Sequence, residues 1–175
     1  MDPILSQLDD AITRSIIDLD EAAMQSRPGL SDGKWSIEQI VEHLSLTYGA
    51  TATALEARLA KGTPTQARAS LTQRLAQFTV TQCGLIPSGR KAPDGVTPVS
   101  TQQHRSGAVL SQTVHERLAR MDQLLEETRA IFGNKQAVNH MILGPLSVHQ
   151  WKRFHLIHGL HHVKQIRSIR KANQL

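Results

Sequence analysis

Apolar residues recur along this chain at three- and four-residue spacing, the period of amphipathic helices. Between residues 3 and 25, Ile4, Leu5, Leu8, Ala11, Ile12, Ile16 and Leu19 form one stripe. This predicts a first helix with Asp2 as cap and Pro3 in its first turn. The stripe stops before Ser26-Arg27-Pro28-Gly29, a cluster of breakers. Ser36 and Gln39 fit a capping box, so a second helix starts at Ser36. Its stripe is Ile37, Ile40, Val41, Leu44, Tyr48, Leu55 and Leu59, and it ends near Lys61-Gly62 with Pro64 beyond. A shorter helical piece covers 67 to 82. A third long helix spans 109 to 132 on Leu110, Val114, Leu118, Met121, Leu125 and Phe132, and Gly133-Asn134 stops it. Ser147 and Gln150 form another capping box, opening a fourth helix that runs to about Lys171. Period-two alternation is absent, so no strand is predicted. Four long amphipathic helices predict an all-α four-helix bundle, and the 175 residues fit one domain over 1–175.

Residues 84 to 107 break the pattern. Gly84, Pro87, Gly89, Pro93, Gly95, Pro98 and Gly107 make this a long irregular loop between the second and third long helices. A loop of this length inside a compact domain usually serves function or moves. It also carries Arg90, Lys91, His104 and Arg105. The expectation is that it reaches over one end of the bundle, lines the mouth of a site there and meets an anionic group on a substrate.

Composition narrows the classes. Aromatic residues are only 3% of the chain, too few to stack single-stranded bases, so nucleic acid is not an expected partner despite the net charge of +5. Lys164, Arg167, Arg170 and Lys171 read as a solvated helix end that complements the helix dipole. Lys152, Arg153, Lys164 and Arg167 are expected to form a surface patch apart from the inward face. The single cysteine, Cys83, permits no intrachain disulfide and reads as a structural thiol in a reducing compartment. No apolar run approaches the roughly 20 residues that span a bilayer. The start Met1-Asp2-Pro3 is unlike a signal peptide. A cytoplasmic protein without a membrane segment is therefore expected.

Histidine is the residue that changes the picture. Of nine histidines, His140, His149, His155, His158, His161 and His162 fall in one short stretch. At 100° per residue, Trp151, Phe154, His155, His158, His162, Gln165, Ile166 and Ile169 share an arc of about 120°. The aromatic and branched residues mark that arc as the inward face, and His161 lies on its flank. One buried histidine is ordinary, but several together need partners for their nitrogens. A metal ion satisfies them collectively. His158 and His162, four apart, leave the helix one above the other, the spacing by which one helix gives two imidazoles to one ion. Position 159 is Gly, so the general-base Glu of the HExxH signature is missing. A third ligand must come from elsewhere. His43, one turn beyond Ile40 at the edge of the second stripe, is the leading candidate. His155, His140, His115 and His104 remain open alternatives.

Two segments carry a family resemblance. Trp35-Ser36-Ile37-Glu38-Gln39-Ile40-Val41-Glu42-His43-Leu44 resembles the Trp-Ser-(x)6-His-Leu segment of the DinB/YfiT-like superfamily of metal-dependent proteins. His158-Gly159-Leu160-His161-His162-Val163-Lys164-Gln165-Ile166 resembles its C-terminal His-x-x-His-His-x-x-Gln-Ile segment. Leu143-Gly144-Pro145-Leu146-Ser147 and Pro87-Ser88-Gly89-Arg90-Lys91-Ala92-Pro93 are similar to one branch of it. The resemblance covers about 5 to 170. It implies an up-down-down-up four-helix bundle with metal ligands at His43, His158 and His162. It places His161 next to the site, and His155 is extra relative to the family pattern, as a fourth ligand or a proton carrier. Some members use low-molecular-weight thiols as cosubstrates.

The expected protein is thus a divalent-metal-binding protein, with Ni or Zn suited to imidazole. Three histidines leave an open coordination position, which fits a thiol-dependent transferase or a hydrolase. His155 and His161 are the candidate proton carriers. The alternative is a non-catalytic metal-binding or stress-response module. A small-molecule substrate and a homodimer complete the expectation.

Overall fold

The first four N–H groups of a helix have no backbone acceptor, and the polar residues ahead of each stripe supply one. In the computed structural model, which describes residues 1–29, 33–86, 92–99 and 104–175 apart from the side chain of Gln136, Asp2 accepts from Ile4 N and opens α1 (Pro3–Ile16). Ser36 with Gln39, Ser70 with Gln73 and Ser147 with Gln150 form reciprocal capping boxes. They open α3 (Ile37–Ala60), α4 (Leu71–Thr81) and α6 (Val148–Ala172). Ser106 caps α5 (Gly107–Phe132), which stops at Gly133 with φ 64°.

The first stripe folds differently from expectation. Leu5, Leu8, Ile12, Ile16 and Leu19 are buried, but the helix ends at Ile16; Leu19 lies in the turn beyond it, and a short α2 (Glu21–Met24) follows, burying Met24. Asp20 accepts from Ala23 N and restarts the chain. Such a carboxylate competes with a continuous helix for the backbone donors. The third helix starts earlier than its stripe, at Gly107, and the short helical piece shrinks to Leu71–Thr81.

The chain is predominantly helical, yet not all-α. A hairpin pairs β1 (Gln136–His140) with β2 (Gly144–Ser147) in antiparallel register, Val138 opposite Leu146 and His140 opposite Gly144. Alternation is absent because Ala137 and Val138, and then Leu143 to Leu146, are buried consecutively. A strand covered on both faces has no period-two signature. Gln77 of α4 is buried here and donates to the carbonyls of Leu143 and Pro145 at 2.7 and 3.0 Å.

Helix α1 packs against α5 and α6, and α3 packs against the same two. Leu5, Leu8, Ile12, Leu44, Tyr48, Leu118, Met121 and Ile166 fill the space between them. None of the described helices is long and apolar enough to cross a membrane.

Two charge expectations are corrected. Lys152 does not join a surface patch: it is 3% exposed, held by Asp2 at 2.9 Å, Asp122 at 3.3 Å and Glu126. Burial pulls its pKa down, but the Glu126 and Asp2 hydrogen bonds outweigh this and hold it above its ordinary value. Arg153 donates to the carbonyl of Thr81 at 3.1 and 3.0 Å. Lys164 and Arg167 are exposed as expected. Cys83 is exposed, so it does not serve as a core thiol.

The start of α5 lies tight on the end of α1. Gly107 N donates to Leu19 O at 2.9 Å, and a Cβ on Gly107 would lie 1.7 Å from the carbonyl oxygen of Ile16. Gly107→Ala should therefore destabilise the protein by roughly 1–3 kcal/mol, the usual range for overpacking. Gly95→Ala, where a Cβ meets nothing within 4 Å, should stay within about 0.5 kcal/mol of wild type. Urea unfolding of both variants checks the contrast.

Candidate metal centre

The capping box at Ser36 sets the phase of α3, and two turns later that phase points His43 inward. The box at Ser147 does the same for α6, where Phe154, His158, His162 and Ile166 follow one another on the buried face. Ligand atoms of His43, His158 and His162 all lie within 4.8 Å of one another, and among the described residues this is the one such group. His158 Nε2 lies 3.3 Å from His43 Nε2 and 3.1 Å from His162 Nε2.

The outer ring nitrogens decide what faces the centre. The Val96 carbonyl accepts from His43 Nδ1 at 2.7 Å, and Gln165 Oε1 accepts from His162 Nδ1 at 2.8 Å. A neutral imidazole with its proton on Nδ1 presents a lone pair at Nε2. Two lone pairs therefore converge on His158 Nε2. His158 has at most one proton there, so it can satisfy one of them and no more. Its Nδ1 is buried without a partner.

Added protons do not relieve the crowding. Burial lowers the pKa of His43, against the Val96 hydrogen bond. His158 is pushed well below its ordinary value by burial, then by His162 and His43. His162 falls to about 4, again mainly by burial. All three rings are neutral at pH 7. Three converging lone pairs fit a cation. Tetrahedral arms of about 2.0–2.1 Å put neighbouring ligand nitrogens about 3.3 Å apart, close to the two spacings around His158 Nε2. The carbonyl and amide on the outer nitrogens are the partners that usually orient metal-ligating histidines. Trp35 packs on His43 with ring centroids 5.0 Å apart, and Phe154 stacks on His158 at 5.4 Å with the rings 8° from parallel.

The other histidines are elsewhere. His155 is fully buried with Nε2 3.2 Å from Thr51 Oγ1, and it stacks on Trp151. Burial, with His140 nearby, lowers its pKa to about 3. It is outside the three-nitrogen group. His161 is half-buried beside His162 and meets Gln165 Nε2 at 3.1 Å. Its pKa is lowered by burial and by Lys164. His140 accepts from Ile142 N and Leu143 N at 3.1 Å. His115 pairs with Asp9 at 2.6 Å. His104 lies 3.4 Å from Glu38.

The long loop does reach the site. Its 3-10 turn, Asp94–Val96, packs on α3 and delivers the Val96 carbonyl. Sequence reasoning gave this residue no role, because a backbone carbonyl leaves no side-chain signature. The one available signal was Pro93-Asp94-Gly95, a turn-former run. Arg90 and Lys91 lie outside the described residues. Arg105 turns to Glu38 and Glu42, at 3.1 and 3.8 Å. Glu42 is raised by burial, opposed by Arg105.

Comparison with known proteins gives one match. The sequence model of a family described as "Protein of unknown function (DUF1569)" matches residues 4–169. Neither curated proteins nor solved structures give a match.

The buried neutral histidines set a pH dependence for the metal-free protein. His140 at about 4, His155 at about 3 and His162 at about 4 all lie below the ordinary value of 6.5. Above pH 6.5 both folded and unfolded chains are neutral at these positions, and nothing changes. Below it the unfolded chain takes up protons first, so stability falls until the folded values near pH 4 are reached. The loss approaches about 1.4 kcal/mol per pH unit for each such histidine. Denaturation in the presence of a chelator should show a plateau from pH 6.5 to 8 and a steep decline below. Stability unchanged between pH 4.5 and 7.5 would contradict the neutral buried state.

Proposed function

We propose that this chain, which belongs to the DUF1569 family of proteins of unknown function, is a metal-dependent enzyme of the DinB/YfiT-like type that holds one divalent ion on His43, His158 and His162. The observation carrying this reading is the convergence of three neutral imidazoles whose outer nitrogens are already committed or buried. Nickel or zinc suits such a ligand set, with no thiolate in the group. The helix contacts, α1 and α3 each against α5 and α6, support the up-down-down-up four-helix bundle of that superfamily.

When bound, such an ion supplies a Lewis acid with an open position, able to lower the pKa of a thiol or a water. The chain's own residues do the rest. Val96 and Gln165 fix the rings of His43 and His162 with their lone pairs inward. Phe154 and Trp35 pack on the rings of His158 and His43. His161, half-exposed and packed beside His162, would carry a proton between the site and solvent in this reading. His155, on Thr51 and neutral at physiological pH, serves packing in this reading. The substrate is a small molecule with a low-molecular-weight thiol as partner, the reaction a thiol-dependent transfer or a hydrolysis, and the assembly a homodimer. A second reading, metal holding without turnover, draws on one observation: the nearest carboxylates in sequence, Glu38 and Glu42, are engaged with Arg105.

Protein made without an affinity tag, loaded with zinc or nickel and freed of excess, should retain about one ion per chain by elemental analysis. His43→Ala, His158→Ala and His162→Ala should each weaken binding by more than the roughly 10–100-fold that outer partners contribute. His149→Ala, at an exposed position, should bind as wild type. Absence of retained metal overturns the reading. Stoichiometric metal with no turnover across low-molecular-weight thiols and hydrolysable esters and amides favours the second. Light scattering at high concentration should give the mass of two chains.

A further inference from the structure

The loop that delivers Val96 is fastened to α3 a second time, at a buried carboxylate. Glu38, in the first turn of α3, is 4% exposed. Its Oε1 accepts from Arg105 Nε at 3.1 Å. Its Oε2 accepts from Gln25 Nε2 and lies 3.4 Å from His104 Nδ1. Arg105 reaches on to Glu42, 3.8 Å away. Gln25 is the C-terminal cap of α2, and Arg105 directly precedes Ser106, the cap of α5. One carboxylate therefore joins α2, α3 and the returning limb of the loop. A carboxylate this buried is tolerable only when paired, so the joint is specific.

Five residues further along α3, a rise of about 7.5 Å, His43 donates to the Val96 carbonyl of the same loop. Val96 and Arg105 are nine positions apart, and nine extended residues can span about 30 Å. Both ends nevertheless rest on a short length of one helix. Val99 and His104 line one cleft with Glu38, Gln39 and Glu42. Fixing the second end restricts where the first can wander.

We propose that Glu38 is a positioning residue, which through Arg105 holds the loop on α3 so that the Val96 carbonyl keeps the His43 proton on Nδ1 and its Nε2 lone pair toward His158. The proposal rests on the three-histidine reading for its consequence, metal affinity, but its immediate effect is visible without metal.

The experiment takes the full-length chain and the variants Arg105→Ala, Glu38→Gln and Arg105→Lys. Arg120→Ala serves as control, since it removes a surface pair to Glu56 at 2.7 Å between α5 and α3. Two-bond proton–nitrogen NMR on metal-free protein at pH 7.5 reads the His43 tautomer, and chelator competition reads zinc affinity. Arg105→Ala and Glu38→Gln should shift His43 from a single Nδ1-protonated tautomer to a mixture and weaken zinc about tenfold, the lower end of the usual effect of outer partners. Arg105→Lys should recover part of both, and Arg120→Ala should change neither. A purely structural clamp would lower the unfolding temperature while leaving the tautomer as in wild type, and that result overturns the proposal. If Arg105→Ala does not fold, the near-isosteric Glu38→Gln decides by the same readouts. If wild type binds no zinc yet the variants shift the tautomer, the metal reading fails and the positioning role stands.

Discussion

Two imidazole nitrogens, from His43 and His162, face that of His158 across little more than 3 Å, and the surrounding structure is what makes that tolerable. Left alone, neutral rings would turn away or share protons with solvent. Here they cannot turn. Phe154 is stacked on His158, Trp35 leans on His43, and Gln165 holds His162. The rotation of α6 is set by a close approach as well: a Cβ on Gly159 would lie 2.2 Å from Leu8 Cδ1. A side chain at position 159 would have to displace Leu8. The core packing and the polar centre therefore constrain the same two helices, and a shift in one is felt in the other.

How much of this could be read from the sequence follows from where each signal resides. The long helices announce themselves through stripes and through Ser-x-x-Gln boxes, because a cap and a period are local properties. The pair His158 and His162 is equally local, being one helical turn. His43 is harder: its edge position on the second stripe permits several rivals, and only the packing of α3 on α6 selects it. What escaped has a common physical origin. The hairpin carries consecutive buried residues, Ala137-Val138 and Leu143 to Leu146, and loses its alternation. Lys152 carries a charge that reads as exposed until Asp2, Asp122 and Glu126, from distant parts of the chain, enclose it. Val96 acts through its backbone, for which no residue type is a marker.

Lys152 also shows by contrast what is unusual about the histidine centre. Both are buried and polar. The lysine lies among three carboxylates, so its charge is matched where it stands, as buried charges require. The three histidines have no carboxylate in their group. A ligand set of neutral imidazoles cancels none of the charge of a divalent ion, and the apolar walls around it do little to screen what remains. An ion held there would keep its full formal charge. On the proposed metal reading, that charge would draw an anion to the ion, or a group that becomes one on binding. Arg105, on the returning limb of the loop, is by contrast tied to Glu38 and Glu42. Arg105 is therefore committed to α3, and what the described part of the loop offers the histidine centre is the Val96 carbonyl on His43.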